Sequence, residues 1–139
     1  MSEPEALPNV RRLNRALEAA WRSGLVPAPA LASEALEAAA LGARPKEAFG
    51  PDQSWREPFS VLVHSLQTEA DLNPLGKTMA HGQIVMALKA RIRGSALWRR
   101  HPEILDRPCR PPIIILGQMR SGTTRMQRLL ACDDRLTHT

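Results

Sequence analysis

Four apolar residues, Ile113-Ile114-Ile115-Leu116, run straight into Gly117, and a second glycine, Gly122, follows five positions later. This constrains the chain more than any other feature. A β-branched run too short for a helix and apolar on both faces predicts a buried parallel strand. Pro111 and Pro112 precede it, where proline is tolerated before a strand starts. The eight residues Gly117 to Thr124 read G-Q-M-R-S-G-T-T. The phosphate-loop template is G-x-x-x-x-G-K-[ST], so both glycines and the last hydroxyl match while Thr123 stands at the lysine position. Met126, Leu129 and Leu130 then predict a helix with one apolar side.

Such a loop does not depend on its lysine to hold an anion. Glycines let the backbone turn sharply and aim several N–H groups inward, and the next helix adds unpaired amides with a partial positive charge. Ser121, Thr123 and Thr124 supply hydroxyls, and Arg120 supplies a planar cationic fork from inside the turn. The competing structural reading is a bare glycine turn between a strand and a helix.

The preceding hundred residues have a different character. Two prolines and two glutamates mark residues 1–8 as a flexible arm. Asn9 is a candidate cap for a helix whose stripe is Val10, Leu13, Leu17, Ala20 and Trp21, stopping at Gly24. An alanine-rich helix is predicted from Ala30 to Leu41, and a third stripe runs through Phe59, Leu62, Val63, Leu66 and Ala70. A long helix from about Gly76 to Trp98 follows, with Ala80, Ile84, Ala87, Leu88 and Ile92 inward. Proline-rich residues 101–111 form a linker. The expected organisation is a helical region over 9–100, then the start of a phosphate-loop domain over 112–139.

Net charge is +5, and Lys77, Lys89, Arg91, Arg93, Arg99 and Arg100 fall in one stretch without an acidic residue. That suggests an anionic partner, against the plainer reading of a solvated helix face. No helix-turn-helix pattern or basic-aromatic interleaving supports nucleic acid as that partner. Two cysteines, Cys109 and Cys132, 23 apart, argue against a disulfide scaffold or zinc site. The acidic N-terminus lacks a signal peptide's apolar core, and no long apolar run spans a membrane, so a cytoplasmic protein is expected. His64, His81, His101 and His138 are isolated, and Trp21, Trp55 and Trp98 fit core or core-edge positions.

The stretch "PIIILGQMRSGTTRMQRLLA" resembles the opening motif of the sulfotransferases that use 3′-phosphoadenosine 5′-phosphosulfate (PAPS), a loop of the form G-x-x-[RK]-[ST]-G-T-[TS]. "FSVLVHSLQTEADLNPLGK" and "ALKARIRGSALWRRHPEI" are similar to the helical lead-in of the bacterial branch, so the likeness covers about Trp55 to Ala131. Met119, Arg125 and Gln127 depart from the commoner Pro, apolar and His residues. The resemblance implies an α/β P-loop parent, of which this chain is an N-terminal fragment: mostly α-helical, with one β-strand, a P-loop and a helix. It implies PAPS as co-substrate, no metal, and sulfuryl transfer to the hydroxyl or amine of a small-molecule acceptor. Gly117, Arg120, Ser121, Gly122, Thr123 and Thr124 fall on the donor-binding loop, with Arg120 catalytic beside the transferring group. The fragment alone is expected to be inactive. The alternatives are a P-loop kinase or NTPase fragment, or a helical module using the basic segment.

Overall fold

The structure, a computed structural model, describes residues 7–108, 111–117 and 120–136. The N-terminal arm through Ala6, Cys109, Met119 and His138 lie outside the described residues. The chain divides into two compact units, Met1–Ile104 and Leu105–Thr139.

The first unit is built from four helices: α1 (Pro8–Arg22), α2 (Ser33–Leu41), α3 (Arg56–Thr68) and α4 (Pro74–Arg100), with short 3₁₀ turns at Lys46–Phe49 and Pro102–Ile104. Helix α1 starts one residue earlier than its candidate cap, because Pro8 occupies the first helical position, where proline's fixed φ and missing N–H cost nothing. Helix α2 ends where Gly42 takes φ 59°, and the turn after Phe49 ends where Gly50 takes φ 90°.

Helix α4 is the spine. α1, α2 and both 3₁₀ turns pack against it, and α2 also packs on α3. The core consists of Leu36, Ala40 and Leu41 from α2, Ala48 and Phe49, Phe59 and Val63 from α3, and Val85, Leu88 and Ile92 from α4. Leu36 and Phe49 are the largest fully buried side chains. Trp55 closes one side, its ring 5.0 Å from Phe49 and 5.6 Å from Phe59. The α4 stripe is rotated from expectation: Val85 and Ser95 are buried and Ala87 is exposed. At Ser95 the backbone of Gly50 packs so closely that a Cβ on the glycine would lie 2.6 Å from Ser95 Oγ.

The start of α4 is doubly capped. The Asn73 side chain accepts from the Gly76 N–H at 2.8 Å, and Asn14 of α1 accepts from the Leu75 N–H at 2.9 Å. The second bond also fixes where α1 lies along α4.

Among its described residues the second unit holds one helix, α5 (Thr123–Leu130). Here the expected fold is overturned. No β-strand occurs among the described residues, so the strand at Ile113–Leu116 and the α/β P-loop architecture built on it are not present. Among the described residues the run has no ladder partner to bond its backbone. Ile113, Ile114 and Leu116 are exposed rather than buried, Leu116 at 88%, and Ile115 is half-buried.

Candidate anion-binding loop

The segment from Gly117 into α5 folds back on itself. A Cβ placed on Gly117 would collide with Ser121 Oγ and lie 2.8 Å from Thr123 Cγ2, so only glycine fits against those two side chains. Among its described residues two are left-handed: Arg120 at φ 63° and Gly122 at φ 88°. For glycine this conformation is unstrained; for arginine it is uncommon and costs energy.

Gly122 is the N-cap of α5, and no side chain caps it. The first helical bond runs from the Met126 N–H to the Gly122 carbonyl at 3.1 Å. The amides of Thr123, Thr124 and Arg125 therefore open the helix without intrahelical acceptors, at its positive end. Arg120, Ser121 and Thr124 are exposed and Thr123 is half-buried. Arg120 forms no ion pair with a described residue. The loop thus presents amides, hydroxyls and a cation, all suited to an oxyanion.

Of the expected site residues, Gly117, Ser121 and Thr123 are brought into contact, Gly122 turns the chain, and Arg120 and Thr124 are at the surface. Sequence reasoning took Arg125 only as a departure from an apolar position and passed over Arg128; both are exposed cations on the eight-residue helix. Their i, i+3 spacing was the available signal. Beyond α5, Arg135 grips Asp133 through Nε at 2.9 Å and a terminal nitrogen at 2.6 Å. These bonds hold the Asp133 carboxyl below its usual range and raise the Arg135 guanidinium.

The first unit has a separate open cleft of about 320 Å³, lined by Pro29, Leu31, Leu66, Leu72, Gln67, Asp71 and Lys77. Among the described residues no cluster of His, Cys, Asp and Glu is placed to hold a metal ion. No helix of the described residues is long and apolar enough to cross a membrane. Compared with family models, curated proteins and solved structures, the chain has no match.

Proposed function

We propose that the chain carries the donor-phosphosulfate cradle of a PAPS-dependent sulfotransferase. What carries this reading is the close packing of Gly117 on Ser121 and Thr123 at the entrance to α5. The open amides at the start of α5 suit a multi-oxygen anion, and no lysine stands at the end of the loop to grip a triphosphate tail. In the proposed reaction the acceptor's oxygen or nitrogen attacks the sulfur as its bond to the bridging phosphate oxygen breaks. Adenosine 3′,5′-bisphosphate leaves, and the acceptor's proton passes to a base. Arg120 and the α5 amides stabilise the charge gathering on the leaving phosphate.

Among the described residues of this unit, Leu105, Ile113, Ile114, Leu116, Met126 and Leu129 are all at least half exposed. A site this open to water stabilises developing charge poorly, so donor binding without turnover is expected of the 139-residue chain. A cytoplasmic location is proposed on the same footing, supported by Cys132, exposed and free.

The test is calorimetric titration of the chain with adenosine 3′,5′-bisphosphate. Binding that resists ATP–Mg²⁺ competition and disappears in Arg120→Ala supports the reading. Equal displacement by ATP–Mg²⁺, or binding indifferent to Arg120, points to the kinase or NTPase class or to a vacant turn. Measurable turnover with PAPS and an alcohol or phenol refutes the expected inactivity.

A further inference from the structure

Helix α4 has a second face. Its core residues Val85, Leu88, Ile92 and Ser95 lie on one side. Nearly opposite, Met79, Gln83, Met86, Ala90, Arg93 and Leu97 follow one another at steps of four and three, the seam spacing of a helix made to pair with another. All six are exposed, with Met79 at 54%, Met86 at 63% and Leu97 at 47%. Met79 to Leu97 covers about 27 Å at 1.5 Å per residue, five turns of straight helix. Gly82 and Gly94 flank the seam and leave room for a second backbone to approach.

Charge decides what fits there. Helix α4 contains no acidic residue. Two of its cations face elsewhere: Arg91 bonds to Asp52 and the Phe49 carbonyl, and Arg99 to the Glu47 carbonyl. Lys89 and Arg100 line one edge of the seam on the side of Arg93; all three are exposed and form no ion pair with a described residue. Two copies of this face would bring like charges together, which disfavours self-pairing. A stripe one seam wide, built on methionine and alanine and broken by Gln83, is narrower than the broad apolar face with which helices enter a lipid surface.

We infer that this face of α4 docks an acidic amphipathic helix of a partner protein. The partner lays leucine-like residues against Met79, Met86, Ala90 and Leu97. It sets carboxylates beside Lys89, Arg93 and Arg100, with Arg93, inside the seam, imposing the register. The inference is independent of the anion-binding loop, which lies in the other unit.

The probe is a labelled three-heptad peptide with leucine in its seam and glutamate at both flanking positions, titrated into the full chain by fluorescence anisotropy. Its mate carries lysine at the flanks. The acidic peptide is expected to bind at least about tenfold tighter than the basic one, a ratio that shrinks with added salt. Ala90→Glu is expected to weaken binding about tenfold or more while leaving the circular dichroism spectrum and melting temperature unchanged, since Ala90 is exposed. Arg93→Glu is expected to reverse the preference between the two peptides. Equal affinity for both peptides, indifference to Ala90→Glu, a stable homodimer by light scattering, or tighter binding to phosphatidylserine vesicles than to the peptide overturns the inference.

Discussion

Arg91 and Asp52 fasten the connector between α2 and α3 to the spine of the first unit. The Arg91 guanidinium donates to the Asp52 carboxylate at 3.0 Å and to the Asp52 carbonyl oxygen at 2.6 Å, and also reaches the Phe49 carbonyl at 3.2 Å. It lies 5.2 Å from the centre of the Trp55 ring, and Arg56 lies 4.7 Å from it. One side chain thus ties α4 to a segment about forty residues earlier.

The Asp52 carboxyl is pulled from 3.8 down to about 2, first by the Ser54 backbone N–H, then by the Ser54 side chain and Arg91. A depressed carboxyl stabilises the fold above its unfolded value and loses that contribution as pH falls from 3.8 through about 2. Asp52→Asn is therefore expected to lower the melting temperature near neutral pH, with the gap to wild type closing as pH falls through that window. A gap that persists undiminished in strong acid contradicts it. The effect is small, because Asp52 is exposed.

The paired caps of α4 should be separable. Asn73→Ala and Asn14→Ala are each expected to cost about 1 kcal/mol in urea unfolding, the usual worth of a capping side chain. The second should also loosen α1, visible as faster amide exchange in α1. Loss in Asn14→Ala without that change would mean the bond caps but does not position.

Gly50→Ala is expected to destabilise by about 2 kcal/mol or more, since alanine is strained at positive φ and its Cβ meets Ser95. Adding Ser95→Ala removes the nearest atom and should recover part of the loss; a purely additive cycle excludes the steric explanation.

Gly117→Ala should abolish adenosine 3′,5′-bisphosphate binding by calorimetry without shifting the urea midpoint of the first unit. The added Cβ would displace Ser121 and Thr123 from the turn. Retained binding means that the close packing of Gly117 does not form the ligand site.

Much of the helical unit was legible because its stripes are aliphatic and its breaks are glycine and proline: Gly42 ends α2, while α4 opens at Pro74, two residues before its expected start at Gly76. Ser95 was not legible as a buried residue. Only a close backbone neighbour such as Gly50 makes room for serine and excludes anything larger there. Trp55, set in a polar connector, gave no local sign that it would complete an aromatic cluster with Phe49 and Phe59. The glycine spacing was legible because each glycine answers a local need: Gly117 leaves room for Ser121 and Thr123, and Gly122 takes a left-handed turn. The strand was misread for the opposite reason. β-branching at Ile113–Ile115 expresses what a residue prefers beside a neighbouring strand, and pairing is a property of two segments, not one.

Because α4 touches nearly every other element of its unit, no helix there has a private core. Val85, Leu88 and Ile92 share one core with residues of α2, α3 and the Lys46–Phe49 turn. The unit should therefore lose its order in a single step, with the amides around those three residues the last to exchange with solvent. A proline at Ala87, in the middle of the rod, would not kink one helix but erase the whole unit.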